Sequence, residues 1–289
     1  MFFTDELPRR SRAAGKGKTL SQDIIQKGCI RMILTVDIGN TNIVLGGYEN
    51  DALAFSTRIS TDKSLEADQY ALELSGILRL YHVAAESIEG AILSSVVPQI
   101  TDTVARALRL FAGVEPLRLS QSLSTGVTVQ IDNPAELGAD LLAGAIAAKA
   151  AYPLPAIVID MGTATKLTAV DANGAVQGVS IMPGLFISLN ALVSGASQLG
   201  GIATEAPRRA IGKNTVESMQ SGVVFGAAGM LDGMIERFEA ELGPVKTIVA
   251  TGGAAGCVVP HCKRAITHVP TLILDGLYEV YRRGAVGEK

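Results

Sequence analysis

Tryptophan is absent from this 289-residue chain, and aromatic residues make up only 4% of it. So few rings leave little from which to build platforms that stack bases or sugars. Charge is sparse as well, at 18% of residues, with 25 lysines and arginines against 28 aspartates and glutamates. The net charge of −3 lacks the basic surplus that neutralises nucleic-acid phosphates. Three cysteines, Cys29, Cys257 and Cys262, are too few and odd in number for a disulfide framework. No apolar run approaches the about 18 residues of a membrane span. These absences argue against nucleic-acid and membrane partners and point to a soluble, cytoplasmic protein.

What the chain does have is apolar material, 48% of residues, and 31 glycines. That suffices for one large domain or two ordinary ones, with a hint of sites lined by backbone. Residues 1–31 stand apart, holding seven of the basic residues and three of the acidic ones. They lack the apolar core of a secretory signal. Met32 directly precedes the first strand pattern, so this leader reads as an upstream start or a disordered tail. Its Gly17-Lys18-Thr19 imitates part of a phosphate-binding loop, but Arg12 stands where the first glycine is required.

From Met32 the pattern is regular. Ile33-Leu34-Thr35-Val36-Asp37 is a short apolar run ending in an acid, followed by Gly39-Asn40-Thr41. Strands are expected over 42–48 and 53–59, forming a meander, then a helix over 65–81, a strand over 90–95 and a helix over 101–111. Asn133-Pro134 reads as the cap and first residue of an alanine-rich helix ending near Ala151. Then the plan begins again. Ala156-Ile157-Val158-Ile159-Asp160 is a second apolar strand ending in an acid, followed by Gly162-Thr163-Ala164-Thr165 and strands over 167–170 and 175–181. A period this long means duplicated domains facing each other, with halves at 32–152 and 153–289.

An acid at the end of a buried strand can hold a divalent cation or its water shell. The glycine that follows lets backbone N–H groups approach phosphate oxygens, and Thr and Asn add donors. One such corner is an ordinary turn; two facing copies suit a nucleoside triphosphate and its metal. A third glycine-rich turn, Gly252-Gly253 after the strand 247–251, could take a flat ring such as adenosine.

These corners, their duplication and the late Thr251-Gly252-Gly253 resemble the acetate kinase, sugar kinase and actin superfamily. Within it, residues 32–284 resemble the type III pantothenate kinases. The matching pieces are Asp37-Ile38-Gly39-Asn40-Thr41-Asn42, Ser94-Ser95-Val96-Val97-Pro98, Gly138-Ala139-Asp140, Asp160-Met161-Gly162-Thr163-Ala164-Thr165, Pro183-Gly184 and Ile211-Gly212-Lys213-Asn214-Thr215. The resemblance implies an α/β fold of two duplicated ribonuclease H-like domains, the actin-like ATPase fold, around an interdomain cleft. It implies ATP-dependent phosphorylation of pantothenate, the first step of coenzyme A synthesis, by a cytosolic homodimer using Mg2+ and a monovalent cation, K+ or NH4+.

By the same resemblance, Asp37, Ile38, Gly39, Asn40, Thr41, Asn42, Ile43 and Val44 form the phosphate and magnesium loop. Thr163, Gly252 and Gly253 complete the nucleotide site. Asp37 and Asp160 are the metal ligands, with Asp160 on the monovalent cation. Asp140 is the general base on the substrate hydroxyl, and Gly138, Ala139, Leu141 and Thr215 border the substrate. An alcohol is too weak an acid to ionise at neutral pH, so a base accepting its proton as the bond to phosphorus forms is what the chemistry needs.

Two residues depart from the family pattern. Leu141 stands where an arginine is expected to bind the pantothenate carboxylate, and Ile131 where a tyrosine is usual. Losing a guanidinium fork removes the natural partner of a carboxylate, so the alternatives are another basic residue or another small hydroxylated acceptor. A regulatory homologue that binds ATP without turnover is the rival from another class. Lys166 is a third difference, standing where threonine is commoner. Alternation puts it on the same side as Asp160, where its ammonium would reach the phosphates or replace the monovalent cation.

Cys257, His261, Cys262 and His268 match no standard zinc spacing. His82 reads as a helix-end residue. A long helix is expected over 214–242, opened by Asn214 with Glu217 and stopped at Gly243-Pro244. Gly222, Gly226, Gly229 and Gly233 line one of its faces, each costing about 1 kcal/mol of helix propensity, so close packing against a neighbouring helix or a second subunit should compensate.

Overall fold

The computed structural model describes residues 31–120, 123, 125–195 and 201–287. Residues 31–289 cluster as one compact unit. The expectation for residues 1–31 falls, apart from Arg31, outside the described residues, as does Cys29.

Two five-stranded sheets carry the fold. The first runs β3(Ala52–Ser60)-β2(Asn42–Glu49)-β1(Met32–Ile38)-β4(Ile88–Ser95)-β5(Leu117–Arg118). The second is its copy in the same order: β8(Val176–Pro183)-β7(Ala164–Val170)-β6(Ala156–Met161)-β9(Thr247–Thr251)-β10(Thr267–His268). In each, the central strand pairs antiparallel with the next strand and parallel with one reached by a crossover. This is the duplication expected from the repeated strand-acid-glycine plan, in the actin-like α/β arrangement that the family resemblance implies.

Three apolar layers hold the sheets. α1(Ala67–Leu80) and α2(Pro98–Ala112) cover one face of the first sheet through Tyr70, Leu74, Ile100 and Leu108. α3(Ala139–Ala151) and α8(Leu272–Gly287) pack on each other and share a core with Ile92 of the first sheet and Ala156, Val158 and Val249 of the second. The far face of the second sheet, Ile157, Ile159 and Met161, packs on α6(Gly226–Leu242) and α7(Ala255–Val258). Alternate residues of β6 thus enter different layers, so the strand reads as one continuous apolar run. Gly276 lets α8 close on α3, since a side chain there would overlap the Ala143 carbonyl.

Two expected helices differ in detail. Asn133 does cap a turn at Pro134–Glu136, its Oδ1 accepting the Ala135 N–H at 3.3 Å, but that turn is a 3-10 segment. The chain then straightens at Leu137, and α3 starts only at Ala139 with Gly138 as its N-cap. Asp140 therefore lies in the first turn of α3. The helix expected over 214–242 runs as α5(Thr215–Gln220), a π segment Ser221–Phe225 and α6, opened by Asn214 Oδ1 accepting the Glu217 N–H at 2.9 Å. His82 follows α1 with φ +58°, a helix-end residue as expected. α4(Leu185–Gly195) and α8 carry no signal among the sequence expectations.

Candidate active site

Both corners form as tight hairpins. In the first, the Gly39 N–H donates to the Asn42 carbonyl at 3.0 Å, and Thr61 Oγ1 donates to the Gly39 carbonyl at 2.6 Å. In the second, the Gly162 N–H donates to the Ala164 carbonyl at 3.1 Å. The corners touch, for Thr41 Oγ1 and Thr163 Oγ1 lie 2.9 Å apart. A threonine from each duplicated half thus meets at the point where the sequence suggested that phosphates are held.

Around that junction lie the three acids. Asp37 pairs in register with Val44 on one side and Ser94 on the other, and Ser94 Oγ donates to its Oδ1 at 2.5 Å. Asp160 pairs with Lys166 and Thr251. The Lys166 ammonium donates to Asp160 Oδ2 at 2.9 Å and to Asp140 Oδ2 at 2.5 Å. Asp140, delivered by the first turn of α3, also accepts the Leu141 N–H at 2.8 Å on Oδ1. Asp140 and Asp160 are buried, and Lys166 is 17% exposed at its side chain.

The electrostatics differ among these groups. Burial pushes the Asp37 carboxyl up to about 7; the Ser94 hydroxyl and Lys166 oppose this, while Asp140 and Asp160 add to it. Asp160 is raised too, mainly by burial, although Lys166 pulls it down. Burial alone would lower the Lys166 ammonium, but the two carboxylates prevail and hold it above the ordinary lysine value. Among the described residues Asp37 has no cation in hydrogen-bonding contact, whereas the other two acids share one.

The late glycine turn and Gly184 pack against the second corner. Gly252 adopts φ +93°, and a methyl group placed on it would lie 2.5 Å from the Met161 carbonyl carbon. The Ala254 N–H donates to the Met161 carbonyl at 3.1 Å. The Thr251-Gly252-Gly253 turn is thereby fastened to the second corner, as is Gly184, whose Cβ would collide with the Thr163 carbonyl. Arg58, from β3 of the first sheet, reaches this turn: a Cβ on Gly253 would lie 3.6 Å from its guanidinium. Sequence reasoning overlooked Arg58, whose only signal was a cation in an otherwise uncharged strand.

The substrate-side residues are less uniform. Gly138 and Ala139 lead into Asp140 at the start of α3. Leu141 turns into the apolar core and offers a ligand no polar group; Ile131 packs against that core. Thr215 opens α5 and is exposed, with no hydrogen bond joining it to the acids. Away from the site, Cys257 Sγ donates to the Ala254 carbonyl at 3.1 Å and His261 meets Phe225 edge-on.

Comparison with known proteins identifies the family of the chain. A family model for type III pantothenate kinase matches residues 33–237. A type III pantothenate kinase of Exiguobacterium sp. is 39% identical over 253 residues, covering 87% of this chain and 99% of the relative. One from Roseiflexus sp. is 39% identical over 250 residues, covering 86% and 98%. Among solved structures, component A of the Acidaminococcus fermentans (R)-2-hydroxyglutaryl-CoA dehydratase is similar in fold, with TM-score 0.53 and 17 residues in 20 or more of each chain covered, 88% and 99%, at 15% identity.

Proposed function

The chain belongs to the type III pantothenate kinase family, and from that premise we propose that Asp140 takes the proton as pantothenate's primary hydroxyl attacks the γ-phosphorus of ATP. The chain is an ATP-dependent kinase whose product is 4′-phosphopantothenate, formed in the first step of coenzyme A synthesis. The observation that carries the assignment of roles is the convergence of Asp37, Asp140 and Asp160 at the junction of two glycine-threonine corners.

Each residue then has a task. The Gly39–Val44 hairpin and Thr163 orient the triphosphate, through backbone N–H groups and hydroxyls. Thr251, Gly252 and Gly253 border the adenosine, with Arg58 at the edge of that turn. Magnesium fits at Asp37, a hard oxygen donor without a cationic partner of its own, and when bound it would offset charge on the phosphates. Asp140 has one lone pair of each oxygen engaged, by Leu141 and Lys166, and a carboxylate keeps about two more for the incoming hydroxyl. The start of α3 contributes the positive end of its dipole beside that carboxylate. Metal and nucleotide positioning supply most of the rate, because phosphoryl transfer makes little covalent demand on the protein.

The wider assembly follows the same reading. The halves 32–152 and 153–289 act as the two lobes around the nucleotide. Phe186, Ile187 and Leu192 of α4 and Val216 of α5 are exposed. Among the described residues nothing lies within 4 Å of a Cβ built on Gly222, Gly226 or Gly229. Among the described residues nothing supplies the close packing expected for that glycine face, and a homodimer is the source we favour. No helix among the described residues is long and apolar enough to cross a membrane.

The test is ADP release from magnesium-ATP with pantothenate, comparing wild type with Asp140→Asn. Loss of kcat by about 10²–10⁴-fold, with ATP affinity kept, is expected of a general base. Equal turnover in the two proteins would remove Asp140 from that role. One observation favours a second acceptor: Leu141 leaves no guanidinium for the carboxylate of pantothenate. A matched pantothenyl alcohol lacking that carboxylate should then react at least as well.

A further inference from the structure

We infer that Lys166 is a tethered monovalent cation, which joins Asp160 to the base Asp140 and frees the enzyme from any need for potassium or ammonium. The inference rests on the kinase reading for the role of Asp140, but the geometry stands by itself.

Hairpin register makes Lys166 the direct cross-strand partner of Asp160, so the two side chains share one face of the second sheet. The ammonium then reaches onward to Asp140 on α3, a different element from a different part of the fold. Its contacts of 2.9 and 2.5 Å are those of a cation already coordinated by two carboxylates. A free monovalent ion held between Asp160 Oδ2 and Asp140 Oδ2 would have to stand where the ammonium is, so the residues present do not fit an additional cation there.

Chemically the exchange is sensible. An ammonium is a compact point charge close in size to potassium, with three donors that serve two acids at once. Without it, Asp140 and Asp160 would face each other buried and unneutralised, next to the triphosphate. With it, Asp140 is aimed from both sides, by Lys166 at Oδ2 and by the Leu141 N–H at Oδ1. Lys166 is in this sense a positioning residue, acting through the base and not on the phosphoryl group. Occupied by both acids, it is also not the missing partner for a substrate carboxylate.

The experiment compares wild type, Lys166→Met and Lys166→Arg in chloride salts of potassium, ammonium and N-methylglucamine at fixed ionic strength. ADP release by wild type should vary by no more than about twofold among the salts, while Lys166→Met should need potassium or ammonium to regain about tenfold or more. Lys166→Arg should keep the wild-type indifference. A second readout needs no acceptor and no turnover. The thermal midpoint of the nucleotide-free protein should rise with potassium, relative to N-methylglucamine, in Lys166→Met alone, because an ion that binds only the folded state raises it. If the enzyme proved to use another acceptor, the thermal arm would still report on the site. Strong potassium activation of wild type, or a Lys166→Met protein active and stable without either small cation, would overturn the inference.

Discussion

At the end of β1, Asp37 faces Val44 across its hairpin and takes a hydrogen bond from Ser94; at the end of β6, Asp160 faces Lys166, while Thr251 turns to the Pro270 carbonyl. The sheets share one strand order and the acids occupy equivalent ends of equivalent strands, although the first glycine turn is one residue longer than the second. Burial raises both acids, but only Asp160 has an ammonium facing it across the hairpin. The first corner keeps a buried acid pushed up to about 7 by burial, able to accept a metal. The second carries the Lys166 ammonium, which bridges Asp160 and Asp140. A duplicated fold thus supplies two similar corners, and the residue facing each acid, Val44 or Lys166, distinguishes them.

The contrast can be broken most severely at the first corner. Asp37→Asn should lower kcat by on the order of 10³-fold and abolish the magnesium response, since no neighbouring group replaces that carboxylate. Steady-state kinetics against magnesium will show it. The same variant tests the electrostatics. An acid whose folded value lies above its unfolded one costs stability as pH rises between the two, here from about 4 towards 7. Metal-free wild type should therefore lose thermal stability across that range relative to Asp37→Asn, with Asp160 contributing a loss of the same sign to both proteins.

Removing the built-in cation should come next in size. Lys166→Met strands two buried carboxylates and should cost about 3 kcal/mol in denaturant unfolding, while Asp160→Asn with Lys166→Met should recover part of that loss. Additive losses would mean that the pair is not coupled. Converting the first corner into the second is a milder change. Val44→Lys, at the position facing Asp37, should weaken magnesium-ATP binding by about tenfold, read by calorimetry, because the new ammonium competes for the acid. Unchanged magnesium affinity would show that the cross-strand residue does not set the corner's character. The smallest effect belongs to Arg58→Ala, where an exposed cation beside the Gly253 turn should raise the KM for ATP only a few-fold, about 1 kcal/mol or less.

Much of this was legible in the residues. The runs 33–37 and 156–160 announced central strands, because a strand buried on both faces must be apolar throughout and can afford an acid only at its end. The two glycine corners were legible for the same reason. α3 was misread at its start, since Asn133-Pro134 is a sound cap that happens to serve a single 3-10 turn. Arg58 went unnoticed because its neighbour, Gly253, lies nearly two hundred residues away and on the other sheet. Leu141 looked like a substrate residue by its place in the motif; its side chain in fact enters the core.

Local chemistry alone determined the two corners: strand, acid, glycine and hydroxyl follow one another in the chain, so their order suffices to specify them. The alternation of β6 and β7 even placed Lys166 on the face of Asp160. What it could not supply was Asp140 as the second partner of that ammonium, because a helix and a hairpin meet only when α3 and α8 pack between the sheets. Charge pairing across elements depends on distances in space, and those are set by how the layers close.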